Sequence, residues 1–154
     1  MSRMVAFSFT LTPTAAQESL LWTAGGAARA ACNRVFALVK DRLAARGDDP
    51  AVVAPWSRFD LIDAVNAWKR EVLGAEGRTW HRDVPAMLFE EAVTDPAAGP
   101  VAFSASRSGG RTGPRVRFPV FEKKNRTPDG FRIRNNAAIN LARQGPHLHD
   151  PSRP

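Results

Sequence analysis

Between Ser104 and Arg134 the chain carries nine basic residues, Arg107, Arg111, Arg115, Arg117, Lys123, Lys124, Arg126, Arg132 and Arg134, against two acidic ones, Glu122 and Asp129. That excess of seven equals the formal net charge of all 154 residues, so the rest of the chain is balanced. The excess charge is therefore gathered in one place. Apolar side chains are interleaved with the charge. Val116, Phe118 and Val120 alternate with Arg115 and Arg117, and Phe131 and Ile133 with Arg132 and Arg134. Alternation is the period of a half-buried strand. Thr127-Pro-Asp-Gly130 has the composition of a turn between two such strands. A charge run can also be a solvated loop, but the alternation favours a binding surface. Its natural partner is a polyanion, because neutralising phosphates releases counterions and gives strong, salt-dependent affinity.

Val5, Phe7, Phe9 and Leu11 alternate with small polar residues and predict a strand over 4–11. Thr14 and Gln17 have the spacing of a capping box, predicting a helix from Ala15 to Ala24 with Leu20 and Leu21 on the core. Gly25-Gly26 is expected to break it. A second helix follows from Ala27 to Ala45, with Ala28, Cys32, Val35, Phe36, Val39 and Leu43 inward and Arg29, Asn33, Lys40 and Arg46 outward. Two helices about a glycine turn suggest a helix-turn-helix or an ordinary αα-hairpin. Ser57 is placed to cap a third helix ending at Gly74, with Leu61, Val65, Trp68 and Val72 as its stripe. A fourth starts near Pro85, carries Met87, Leu88, Ala92 and Val93, and is expected to stop at Asp95-Pro96.

The resulting organisation is one domain over 1–142. It comprises the strand 4–11, a helical insert over 14–95, a mobile linker over 96–114 and basic strands over 115–142, with a short strand at 138–141. A disordered tail follows over 143–154. The expected fold class is α+β, a short sheet interrupted by a helical subdomain.

Several classes of function are disfavoured. One cysteine, Cys32, makes no internal disulfide and no Cys-rich zinc site. Stretches of about 20 apolar residues are lacking, so no membrane association and a cytoplasmic location are expected. No phosphate loop or Ser/His/Asp order is present, and His147 and His149 have no supporting carboxylates, so neither a cofactor nor a metal is expected.

Three stretches together resemble a known family. They are Phe7-Ser-Phe-Thr-Leu11-Thr-Pro13-Thr14-Ala-Ala-Gln17, Gly26-Ala-Ala-Arg29-Ala-Ala-Cys32-Asn33, and Arg117-Phe118-Pro119-Val-Phe121-Glu-Lys123-Lys124 leading to Phe131-Arg-Ile-Arg134. Their order and spacing are similar to the N-terminal part of the OrfB/TnpB proteins of insertion sequences, RNA-guided DNA nucleases related to type V CRISPR effectors. The resemblance implies a β-rich domain split by a helical lobe, whose basic surfaces hold guide RNA and an RNA:DNA duplex by shape and phosphate charge. It implies structural duty for Pro13, Gln17, Gly26, Phe118, Pro119 and Phe121. Nucleic-acid contact falls to Arg29 and Asn33 with the basic set Arg107, Arg111, Arg115, Arg117, Lys123, Lys124, Arg126, Arg132 and Arg134.

The chain departs from the family pattern at Cys32, Arg117 and Glu122, where an aromatic, a glycine and a lysine are usual. It also has no room for the family's metal-dependent nuclease fold. The expectation is therefore a truncated, transposon-associated protein that binds RNA or RNA:DNA without cutting it, with a full-length nuclease as a partner acting in trans. A stand-alone helix-turn-helix DNA-binding regulator and a non-functional relic of a mobile element are the alternatives.

Overall fold

Thr14 starts helix α1 in the computed structural model, which describes residues 10–55, 57–75, 77–126 and 130–133. The capping box is complete: the Thr14 hydroxyl accepts from the Gln17 amide at 3.4 Å, and Gln17 Oε1 accepts from the Thr14 amide at 2.9 Å. Helix α1 then runs without interruption from Ala15 to Asp48. The expected break at Gly25-Gly26 does not occur, and neither glycine has a positive φ. A glycine in a helix costs about 1 kcal/mol relative to alanine but forbids nothing. Ala27, Ala28, Ala31, Val35 and Val39 are buried in the core just beyond the pair, and that burial outweighs the propensity. The first turns of α1 extend past the body. Leu20 and Leu21, expected on the core, are exposed.

Ser57 caps α2, Arg58–Trp68, in a second complete capping box with Asp60. Leu61 and Val65 are buried on it as expected, and the helix widens into a π turn over Lys69–Leu73 before Gly74. A single 3₁₀ turn, Trp80–Arg82, leads to Pro85 and into α3, Ala86–Arg107.

Helix α3 corrects another expectation, because it passes through both Pro96 and Pro100. Each proline removes one backbone hydrogen bond and costs a helix interior about 3 kcal/mol in isolation. Tertiary packing outweighs that cost here: Pro100 is fully buried, and Val93 and Ala97 are buried in the shared core. Helix α3 lies along α1 more extensively than α2 does. It stops where Ser108 closes the last turn and Gly109 takes φ +76°, a conformation that favours glycine after a helix. Residues 96–107, expected in a linker, are thus the second half of α3.

The described residues form three α-helices and no strand, so the expected α+β fold with a sheet is wrong. Residues 115–123 and 131–133 lie irregularly across the helices, and Phe118 and Phe131 pack on the core. The alternation of their side chains reported half-burial, which a helical surface provides as well as a second strand does. Of the strand expected over 4–11, Thr10 and Leu11 are described and are not in a strand; residues 4–9 lie outside the described residues. So do most of the turn at 127–130, the strand at 138–141 and the tail over 143–154.

Candidate nucleic-acid interface

A strap of residues 115–123 crosses from the end of α3 to the middle of α1, held at four points. At its start, the Val116 amide donates to Ser106 Oγ at 2.9 Å. Phe118 comes next, its ring edge-on to Phe103 of α3 at 5.4 Å and to Phe36 of α1 at 6.2 Å between centroids. The third point is Pro119, whose ring sits over Gly99: a Cβ built there would stand 2.5 Å from Pro119 Cγ, so no other residue fits without movement. Finally, Phe121 meets Phe36 edge-on at 6.2 Å, and Asn33 grips the next peptide. Asn33 Nδ2 donates to the Glu122 carbonyl and Asn33 Oδ1 accepts from the Glu122 amide, both at 2.8 Å. One carboxamide thereby satisfies both polar groups of a half-buried residue, as a neighbouring strand would have done.

This anchoring sorts the strap's side chains. Val116, Phe118, Pro119 and Phe121 face the helices, while Arg115, Arg117, Lys123, Lys124 and Arg126 are exposed, as are Arg107 and Arg111 upstream. Strict alternation fails at Val120, expected inward and 82% exposed, because Pro119 turns in to occupy the space above Gly99. No strand pairs with the strap among the described residues, so nothing holds it to a period of two. Arg132 is exposed beside the strap and engaged in an interaction, and Arg134 lies outside the described residues.

Of the two helical candidates, Asn33 serves the anchor. Asn33 is occupied by Glu122. Arg29 also has an interaction, and its guanidinium lies back over Gly26, 3.9 Å from where a Cβ would stand. Gly26, expected in a turn, is helical. Pro13 and Gln17 stand at the opposite end of α1, lining an open groove of about 550 Å³ with exposed leucines. Sequence reasoning missed Gly99, Phe103 and Ser106, because all three follow the proline at which α3 was expected to end.

Beneath the strap, Cys32 is buried, and its thiol is pushed up to about 12, first by burial and then by the neighbouring Glu122 carboxylate. It stays neutral and unreactive at physiological pH. Above, Leu43, Phe103, Phe118 and Phe121 line an apolar hollow of about 640 Å³, with Lys40 and Arg107 among the same lining residues. Cations standing beside aromatic surface suit nucleic acid, whose bases offer flat faces and whose backbone offers charge.

A helical body that presents such a basic strap has the build of a nucleic-acid-binding module. Consistent with that, residues 1–48 match the family model of the OrfB_IS605 helix-turn-helix domain. No curated protein and no solved structure matches the chain. The match supports a likeness to the N-terminal region of the OrfB/TnpB family and points to nucleic-acid binding in a transposon-associated protein, although residues 15–48, which fall within it, form one continuous helix here and not two helices about a turn. It ends at Asp48, the last residue of α1, and the strap lies beyond it. No helix among the described residues is long and apolar enough to cross a membrane.

Proposed function

We propose that this chain holds structured RNA, or RNA paired with DNA, along the outer face of the strap, and that it binds without cutting. The observation that carries this reading is the fixed sidedness of the strap: aromatics and a proline locked against α1 and α3, cations all outward. Because the strap's backbone is already anchored, only the exposed side chains have to be ordered on meeting a phosphate backbone, which lowers the entropic cost of binding and supports the reading. The family match at residues 1–48 supports a nucleic-acid partner, and a stand-alone regulator of duplex DNA is the second reading it favours. The side chains offered by the strap are suited to gripping; cleavage is assigned to none of them.

Titrating the protein into a structured RNA and a duplex DNA of matched length, each across a range of salt, tests the reading. Arg115→Ala combined with Lys123→Ala should weaken RNA binding and reduce the slope of log affinity against log salt by roughly 1 to 2, as expected for two lost phosphate contacts. Unchanged binding with an unchanged melting temperature would remove the strap as the interface. Tighter, sequence-selective binding to duplex DNA would favour the regulator.

A further inference from the structure

A second basic site lies away from the strap and is brought together by the fold. Asn66, Lys69 and Arg70 at the end of α2 face His81, Arg82 and Asp83 before α3 across an open groove of about 850 Å³. Arg70 and Arg82 are exposed. Lys69 is held in place, its ammonium 4.6 Å from the centroid of the Phe89 ring. The π turn begins at Lys69, and such widened turns recur where helices carry function. His81 Nδ1 is buried and has no hydrogen-bond partner among the described residues. The groove thus contains three cations and one carboxylate, while the His81 ring nitrogen beside it is shielded from solvent. Burial depresses the Lys69 pKa; Glu90 works against that shift and Arg70 adds to it. An anion in the groove would offset both the cost of burying the Lys69 charge and its repulsion from Arg70.

We propose that this groove is a second binding site, taking a phosphate group between Lys69, Arg70 and Arg82. Its place in the fold suggests whose phosphate. The groove stands at the start of α3 and the basic segment begins at Arg107, its end. At 1.5 Å per residue, Ala86 and Arg107 are about 32 Å apart, close to one turn of a nucleic-acid duplex. That span separates the groove from Arg107; the later part of the strap returns over Gly99, and Glu122 and Arg132 stand beside Glu91 and Pro96, nearer the groove. That the occupant belongs to the same duplex rests on the reading of the strap given above; the phosphate chemistry of the groove does not.

The test uses the whole chain and the variant Arg70→Gln with Arg82→Gln, two exposed positions whose replacement should leave the melting temperature unchanged. The probes are inorganic pyrophosphate and RNA:DNA duplexes of about 8 and about 24 base pairs, the first shorter than one turn. With the backbone as occupant, the variant should bind the long duplex on the order of 10-fold more weakly, with a salt slope shallower by about 2, and the short duplex, which cannot span the groove and Arg107, should lose less. Saturable pyrophosphate binding that the variant loses, with both duplexes unaffected, would assign the site to a free phosphate instead. If the variant matches the parent with every probe, the groove is not a phosphate site, whatever the strap does. If Arg115→Ala with Lys123→Ala leaves duplex binding intact while the groove variant impairs it, the strap reading fails and the groove stands.

Discussion

The two ends of α1 belong to one continuous helix and have opposite surroundings. Ala27 to Leu43 is packed by α3, α2 and the strap, with Ala31, Val35 and Val39 inaccessible to solvent. Ala15 to Trp22 is just as helical, yet Leu20 is 62% exposed and Trp22 is 59% exposed. Propensity and a capping box are enough to start a helix that a packed segment continues, but they do not decide what is covered. The buried stretch of α1 anchors the strap, and the bare stretch carries none of it.

The largest effect should come from Phe36→Ala, which removes the ring that both Phe118 and Phe121 pack against. A buried phenylalanine cut to alanine costs about 3–5 kcal/mol. Chemical denaturation should show that loss, and RNA binding should fall with it under conditions where the variant is still folded. Loss of stability with full RNA affinity would mean that the strap orders itself without α1.

Asn33→Ala should cost about 1–3 kcal/mol, because it leaves the amide and carbonyl of Glu122 without partners in a half-buried place. Asn33→Asp is the sharper probe: it keeps the acceptor for the Glu122 amide but sets a carboxylate oxygen against the Glu122 carbonyl in a half-buried place, so it should cost at least as much as alanine. If both variants are as stable as the parent, the clasp does not hold in solution. Gly99→Ala should cost about 1–3 kcal/mol by pushing Pro119 outward, since its new methyl would overlap the proline ring.

These residues also show where the sequence was legible. Both capping boxes and the buried stripe over Ala28, Cys32, Val35, Phe36 and Val39 follow from local spacing, and the structure has them. The segment 104–134 could be recognised as a surface because its charge is contiguous. Gly25-Gly26, Pro96 and Pro100 misled because a local cost of a few kcal/mol says nothing of the packing that offsets it. The strap's sheet partner was inferred from alternation alone, which cannot tell a strand from an extended segment held by Asn33 and Ser106. The basic groove was invisible for a different reason: Lys69 and Arg70 are separated from His81 and Arg82 in sequence, and only the fold joins them.

Cys32 gives a pH-dependent test of the buried stretch. Its thiol ionises from about 9 when exposed and is pushed up to about 12 in the folded chain, so the fold favours the neutral form. The stabilisation is fully present below about pH 9 and is lost as pH rises toward 12. Lysines and tyrosine-free surroundings aside, the readout is the difference between the parent and Cys32→Ala: the gap in stability should shrink over that window and be flat below it. A gap independent of pH would mean that the thiol is not buried in solution. Alkylation of Cys32 at neutral pH should likewise be slow and should accelerate in Phe36→Ala.

The smallest effect belongs to the bare end of α1. Leu20→Ser with Trp22→Ser removes two exposed side chains and one exposed hydrogen bond, Trp22 Nε1 to Glu18 Oε1 at 3.3 Å. Substitutions of that kind usually stay within about 0.5 kcal/mol, so the double variant should unfold within about 1 kcal/mol of the parent. A larger loss would show that these turns are covered in solution, and the dependence of the melting temperature on protein concentration would say by what. A dependence that the double variant abolishes identifies a second copy of the chain; a loss independent of concentration places the cover within the chain itself. In either case the contrast between the two ends of α1 would narrow, because burial and not propensity would then hold the whole helix.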